Sequence, residues 1–357
     1  MIHAVIMAGG SGTRFWPYSR KNRPKQLLNI TGHKTMIQAT VDRITPFIPP
    51  ERIMVVTNSL YVDELKRQVP SMTQNQILTE PVGKNTAPCI ALAAYKLRKI
   101  DPDAIMVVLP ADHLIGKEQE FLDALEAAVA MVSNDAHLLT FGIVPNRPET
   151  GYGYLKIGEP LQKISGKTVY KVAQFVEKPN LATAESYCAS GQYLWNSGMF
   201  VWKVSTIINA LEKHLPQLSG TMQAISDCLG TSDELQAVHQ AYEMITPISI
   251  DHGVMEKANN VCCIPIDVDW NDVGSWVSLE TVWDRDANGN AVKGSVLSVR
   301  SSGCIISSPH KLVTLIGAED LIVVDTPDVL MICRKDSAQE VRELQELLKR
   351  EGYEHLL

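Results

Sequence analysis

The chain predicts an α/β fold: a mixed, mostly parallel sheet flanked by helices, with a small β-rich part at its C-terminal end. Three observations carry this. Short apolar runs alternate with helix-period segments through the first half of the sequence, the order that parallel strands and crossover helices require. The first run, Val5-Ile6-Met7-Ala8, stops abruptly at Gly9-Gly10-Ser11-Gly12, as a strand does when it enters a tight turn. Beyond residue 285 the apolar runs shorten and recur every ~8 residues with turn residues between them.

Taken in order, residues 3–7, 53–57, 105–109 and 138–142 read as buried strands of a Rossmann-like sheet. Residues 36–45, 61–69, 86–100 and 118–132, between and after them, have helical apolar spacing. Ligands of such a sheet bind outside the carboxyl ends of its strands, where the loops after Met7, Leu109 and Gly142 lie. The second half is less regular. Residues 169–176 and 199–203 are extended, and residues 205–225 form one helical stretch that the polar residues 230–233 break. At Asp284-Arg285-Asp286-Ala287-Asn288-Gly289-Asn290 the apolar rhythm is lost, which divides the chain into domains 1–285 and 286–357. The second holds short runs at 296–299, 304–307, 312–316, 321–325 and 329–333, the pattern of a small β-solenoid or a compact sheet. Ser337 and Glu340 have the spacing of a capping box, and Gly352 is a helix stop. Val341, Leu344 and Leu348 make one apolar stripe between them, which needs burial on its own chain or on a second subunit; a homodimer is therefore expected.

At 357 residues the chain has room for one large α/β domain plus an appendage. A hydrophobic content of 45% with 20% charged residues describes a soluble globular protein. The net charge of −7 argues against broad nucleic-acid or membrane binding, so an anionic ligand must be captured by local cations and backbone amides. No apolar run approaches the ~18 residues of a membrane span, and the N-terminus lacks a signal-peptide pattern. Seven cysteines without a C-x-x-C pair read as reduced thiols, and a cytoplasmic location is expected.

The glycine turn carries the chemistry. Three glycines in four positions let the backbone turn tightly and present bare N–H groups, and Arg14 and Lys25 bring fixed positive charge to it. Strand, turn and two cations make a cradle for a polyphosphate. The turn is not a G-x-G-x-x-G motif, because Phe15 takes the place of the third glycine. Nor is it a P-loop, since no Lys-Ser/Thr pair follows; Gly166-Lys167-Thr168 lacks the upstream glycine, position 161 being Leu. Pro110-Ala111-Asp112-His113 ends an apolar strand with a carboxylate that either holds Mg²⁺ together with phosphate oxygens or caps the next helix. In Val268-Asp269-Trp270-Asn271-Asp272-Val273-Gly274-Ser275-Trp276 the two acids are three apart, so on a turn both face one way, or either is an N-cap. Glu80-Pro81-Val82-Gly83-Lys84-Asn85-Thr86 reads as a loop entering a helix, whose N-terminus with nearby amide side chains suits an anion or a purine edge, or in which Thr86 is equally well a plain cap.

The run from Ala8 to Pro17, with Pro24-Lys25-Gln26, resembles the signature of the sugar-nucleotide pyrophosphorylases, and among them the mannose-1-phosphate guanylyltransferases most closely. The likeness continues in order to Trp276 and more faintly to Ile332. It implies a GT-A-like nucleotidyltransferase fold followed by a left-handed β-helix-like domain. It also implies nucleotide binding by Ala8, Gly9, Gly10, Gly12, Thr13, Arg14, Lys25, Glu80, Asn85, Thr86 and Asp112, with Asn85 and Thr86 near the guanine or ribose. Sugar-phosphate binding falls by the same resemblance to Tyr152, Gly153, Glu177, Lys178, Asn196, Gly198 and Asp251. Glu177 takes sugar hydroxyls, Lys178 the phosphate, and Asn196, in a tight turn, a further hydroxyl. If residues 175–178 are extended, Glu177 and Lys178 point to opposite faces. Asp272 is implied to complete the Mg²⁺ site with Asp112. Leu27 stands where the family pattern has Phe, an apolar exchange, and His252-Gly253 replaces a more aromatic version. Some relatives carry a further phosphomannose isomerase domain, for which this chain is too short.

The implied reaction joins GTP and mannose 1-phosphate to give GDP-mannose and pyrophosphate, with Arg14, Lys25 and Lys178 as catalytic cations. A sugar phosphate is already largely dianionic at neutral pH, its second pKa being about 6, so no general base is required. Two readings compete with it: a nucleotidyltransferase for heptose, fucose or glucose 1-phosphate, and a subunit that senses a nucleotide sugar without turnover. Intact Arg14, Lys25, Asp112 and Asp272 weigh against the second.

Overall fold

The computed structural model describes all residues, Met1–Leu357. Strand β1 (Ile2–Ala8) is buried along most of its length, as the apolar run 4–8 requires. Helix α1 (Met36–Ile44), strand β2 (Ile53–Asn58), helix α2 (Val62–Gln68), strand β3 (Ile77–Glu80), helix α3 (Thr86–Ile100), strand β4 (Ile105–Pro110) and helix α4 (Glu118–Asn134) follow. Strands β1 to β4 pair in parallel, in the order β3-β2-β1-β4. Then come β5 (Leu138–Ile143), β6 (Gly153–Ile164), β7 (Lys167–Glu177), α5 (Leu181–Ser190), β8 (Tyr193–Lys203), α6 (Val204–His214), α7 (Pro216–Ala224), α8 (Glu234–Met244) and β9 (Val261–Ile266). They complete a nine-stranded mixed sheet, β3-β2-β1-β4-β8-β5-β9-β7-β6. Since β8 is antiparallel to both β4 and β5, the carboxyl ends of β1, β4 and β5 share one edge.

The chain forms two compact units that interleave in sequence. One comprises 1–9, 41–111 and 115–270; the other comprises 10–40, 112–114 and 271–357. The first holds the nine-stranded sheet, and its core is centred on α3, which is buried from Ala87 to Leu97. A helix apolar on every side must be enclosed, and α6 and α7 do this with Ile207, Leu211 and Met222; Tyr95 and Ser219 share a hydrogen bond at 2.6 Å.

The second unit contains a four-stranded sheet of β10 (Ala291–Val299), β11 (Ile305–Ile316), β12 (Leu321–Asp325) and β13 (Leu330–Arg334), then helix α9 (Val341–Arg350). The first three strands stack in parallel at short intervals, as rungs of a β-helix do, and β13 closes the stack antiparallel. Its core joins Ile305, Ile322, Val324 and Met331 to Phe15, Trp16, Leu28 and Ile30 from near the N-terminus, with Trp276 fully buried among them. Val341, Leu344 and Leu348 pack on this core, so the α9 stripe is buried on its own chain.

Several expectations change. Residues 205–225 form two helices, not one: Leu215 leaves the helical region, and Pro216, which cannot donate to the preceding turn, starts α7. The capping box at Ser337 and Glu340 is not made; residues 335–340 form a 3-10 turn and α9 begins at Val341 without a side-chain cap. Gly352 does end α9: at φ +81° its N–H donates to the Lys349 carbonyl, and Tyr353 N–H donates to the Leu348 carbonyl. Strand β9 escaped the sequence reading because Pro265 interrupts it. Pro265 lies beyond the two β7 pairings, at Cys262 and Cys263, where the strand is paired on the β5 side alone.

Candidate active site

In the second unit the glycine turn is shaped by one close approach. Gly12 adopts φ +58° ahead of a single 3-10 turn, Thr13–Phe15, and a Cβ there would lie 2.6 Å from the Lys25 backbone nitrogen. Only glycine admits that contact in that conformation. Pro24 then opens a second 3-10 turn, Lys25–Leu27, and Gln26 Nε2 donates to the Gly10 carbonyl at 2.9 Å. The Lys25 side chain is 6% exposed. Its Nζ donates to Asp112 Oδ2 at 2.8 Å and to the Asp272 carbonyl at 2.7 Å, and it lies 5.7 Å from the centre of the Phe15 ring. Two acids far apart in sequence thus meet on one ammonium. The bridge between Leu114 and Asn271, with hydrogen bonds of 2.8 and 3.1 Å, brings their segments side by side.

Asp112 is not a helix cap, because the next helix starts six residues later behind Lys117. Burial opposes ionisation of its carboxyl, but the charges of Lys25 and His113 and the Lys25 hydrogen bond outweigh it, so the pKa falls below the ordinary value. Asp272 Oδ1 accepts from the Gly274 N–H at 3.1 Å. Asp269 behaves differently: at φ +50° it turns to Lys117, 3.4 Å away, in the first unit, and does not share a turn face with Asp272. Arg14 Nε is buried and has no hydrogen-bond partner.

In the first unit, Ala8 ends β1 with its carbonyl accepting from Thr57 Oγ1 at 3.0 Å. Glu80 is the last residue of β3, not part of a loop, and is 3% exposed. Tyr242 donates to its Oε1 at 2.9 Å, and a Cβ on Gly9 would come within 2.7 Å of its Oε2. Burial raises its pKa to about 7, against the opposing effect of the Tyr242 bond. Asn85, at φ 72°, accepts from the Thr86 N–H at 2.8 Å and is the N-cap of α3. Thr86 is therefore not the cap; its hydroxyl accepts from the Ile250 N–H at 2.9 Å.

A second cluster in the same unit gathers the residues expected on the sugar side. Gly153 pairs with Glu177 across β6 and β7, and a Cβ there would lie 2.5 Å from Glu177 Oε2 and 3.4 Å from the Asn196 Cβ. Glycine keeps that space open. Asn196 lies within β8 rather than in a tight turn: the β5–β8 register shifts beside it, and Gly198 takes φ +69° in the resulting bulge. Its Nδ2 donates to Asp251 Oδ1 at 2.9 Å, while the Thr140 hydroxyl sits 2.9 Å from its Oδ1. Burial, and then the neighbouring Glu177 charge, push the Asp251 pKa up to about 6. Glu177 and Lys178 do not point to opposite faces. Lys178 leaves the strand at φ +49°, and its ammonium pairs with the Glu177 carboxylate. The Tyr152 ring packs edge-on against Trp195 and Trp270 at 5.2 and 5.3 Å, and Arg147 lies 5.2 Å over Trp195. Thr140, Arg147 and Tyr242 were missed in the sequence, since none lies within a motif.

The fold and these clusters define a nucleotidyl transferase, and the nucleotidyl transferase family pattern matches residues 3–289. A MannoseP isomerase/GMP-like beta-helix domain pattern matches residues 294–348. A Klebsiella pneumoniae mannose-1-phosphate guanylyltransferase is 41% identical over 98% of this chain and 74% of its own length. The alginate biosynthesis protein AlgA of Pseudomonas aeruginosa is 39% identical over 98% of this chain and 72% of its own. A solved Thermus thermophilus structure, described as a mannose-1-phosphate geranyltransferase, superposes with a TM-score of 0.88 at 32% identity, covering 98% of this chain and 99% of that one. The chain belongs to the mannose-1-phosphate guanylyltransferase family.

The two raised carboxyls set a pH dependence. A group whose folded pKa exceeds its unfolded value confers stability below the unfolded pKa and loses it as pH rises through the folded one. Glu80, at about 7 against 4.5, therefore makes unfolding free energy fall across that interval. Glu80→Gln is expected to remove this part of the slope and to exceed the wild type in stability at pH 8 by on the order of 1–3 kcal/mol. Urea unfolding at pH 5 and pH 8 checks it; parallel pH profiles for the two proteins contradict it.

Proposed function

We propose that this chain transfers a guanylyl group from GTP to mannose 1-phosphate, giving GDP-mannose and pyrophosphate. The observation that carries the proposal is the buried Lys25 ammonium, held by Asp112 and by the Asp272 backbone beside a glycine turn that bears Arg14. Family membership supports the choice of sugar and base. Ala8, Gly9, Gly10, Gly12 and Thr13 supply backbone to the triphosphate, with Glu80, Asn85 and Thr86 toward the nucleoside. Arg14 takes the leaving pyrophosphate, and Lys25 the α-phosphate. Tyr152, Gly153, Asn196, Gly198, Glu177 and Asp251 bind the sugar, and Lys178 its phosphate. The attacking phosphate oxygen needs no base, so the obstacle is repulsion between two anions. These cations lower it by neutralising charge and fixing an in-line approach.

A divalent cation, Mg²⁺ in our reading, fits Asp112 and Asp272. The Lys25 ammonium is a cation already resting on the Asp112 carboxylate and on the Asp272 backbone carbonyl, and both are hard oxygen donors of the kind Mg²⁺ accepts. Such an ion would neutralise phosphate charge there. Lys25 competes for the Asp112 carboxylate, so Mn²⁺ titrated into the nucleotide-free protein should bind more tightly to Lys25→Met than to the wild type, and not to Asp112→Asn. Equal binding by all three proteins rejects the assignment.

The residues that no helix of the second unit covers suggest the oligomer. Leu297, Val299 and Ile316 on β10 and β11 are 63%, 56% and 74% exposed, and β10 is an edge strand. We assign a homodimer to this face, in place of the α9 stripe; a monomeric mass by light scattering refutes it. A cytoplasmic location accords with seven free thiols and with no helix long and apolar enough to cross a membrane.

The decisive assay is pyrophosphate release from GTP with mannose 1-phosphate, run against UTP, CTP and glucose 1-phosphate. The first pair is expected to dominate, and Lys25→Ala to lower its kcat/KM at least a hundredfold, roughly 2.7 kcal/mol or more. Near-normal turnover in that variant removes Lys25 from the mechanism, and preference for another pair overturns the substrate assignment.

A further inference from the structure

Arg14 Nε has no partner in the protein, so its aim depends on how the residues either side of it are held. Both sides are held by the C-terminal part of the second unit. On one side, Gln345 Nε2 of α9 donates to the Thr13 carbonyl at 3.1 Å. On the other, the Phe15 ring lies 5.2 Å from Trp276, and Trp276 Nε1 donates to the Trp16 carbonyl at 3.1 Å. The Trp16 indole in turn donates to the Leu356 carbonyl at 2.7 Å, an oxygen that also accepts from Arg20 Nη1. Arg20 is itself anchored to Asp328 at 2.8 Å.

From these contacts we infer that Gln345 and Trp16 are positioning residues for Arg14. Helix α9 and the Leu356 carbonyl hold the turn so that the Arg14 guanidinium meets the triphosphate in one orientation, and the C-terminal module is thereby part of the transfer chemistry. The inference rests on the proposed role of Arg14. Its physical basis is a difference in scale. A single neutral hydrogen bond contributes only about 1 kcal/mol to folding, whereas a displacement of about 1 Å in a positioned group costs about a hundredfold in rate. Loosening this backing therefore reaches catalysis before it reaches stability. Gln345 is half-buried on a surface helix, so its replacement leaves the core intact.

The test uses the full chain with GTP and mannose 1-phosphate. Gln345→Glu keeps the shape but loses the donor, and Trp16→Phe loses the indole N–H together with part of a buried ring system. Each is expected to lower kcat about tenfold or more with the KM for mannose 1-phosphate unchanged; Gln345→Glu keeps Tm within a few degrees of the wild type, and Trp16→Phe, which also leaves a cavity, is assayed well below its Tm. In an Arg14→Ala background Gln345→Glu should have no further effect, because a residue that acts through Arg14 has nothing left to act on. Wild-type kcat in both single variants, or an equal loss with and without Arg14, overturns the inference. Normal turnover of Arg14→Ala by itself instead overturns the role of Arg14, and this inference with it.

Discussion

A buried ammonium is the constraint on which the second unit depends. Lys25 is nearly inaccessible, and an unpaired charge in that position would cost several kcal/mol, so its surroundings must supply oxygens. They come from Asp112 and from the Asp272 backbone, which commits two remote segments to meet at one point. Gly12 fixes the other end of the same residue by letting the turn come against the Lys25 backbone. The cation is therefore located by its main chain and by its charged end together.

A second demand, the burial of aromatic rings, goes with the interleaving of the units in sequence. A turn that carries Phe15 and Trp16 brings two large rings that must be buried, and their partners are Trp276, Ile305, Ile322 and Val324. The turn accordingly forms one core with the β-helix strands and α9, although more than 250 residues separate them in the chain. A core built across that separation has high contact order and cannot form from local segments alone.

The cluster around Glu177 and Asp251 obeys a different electrostatic rule. Glu177 and Asp251 are acids brought close in a sheltered place with one exposed lysine paired to Glu177, and the result is a raised pKa on Asp251. A carboxyl like that of Asp251 makes a good hydrogen-bonding group for neutral hydroxyls, while the opposite choice at Asp112, a lowered pKa beside Lys25, suits a cation or an anion's counter-charge.

Much was legible in the sequence because it is local. The alternation of apolar runs specified β1, β2, β4 and β5, the bounds 86–100 of α3 were read without error, and the glycine turn announced itself by composition. Gly352 as a stop is local as well, because the αL conformation is a property of one residue. What remained hidden depends on partners. Whether Thr86 caps a helix or accepts from Ile250, and whether Asp112 faces a helix or Lys25, are decided by which distant segment arrives alongside. The left-handed turn of Lys178 and the bulge at Gly198 are likewise imposed by the sheet and not announced by their neighbours in the chain. The residue types by themselves pointed to a phosphate cradle with acids nearby, and the sugar-side reading came only from the family resemblance. Only the tertiary structure decided which charges meet, because electrostatic pairing and burial act through distance in space, on which sequence separation sets no limit.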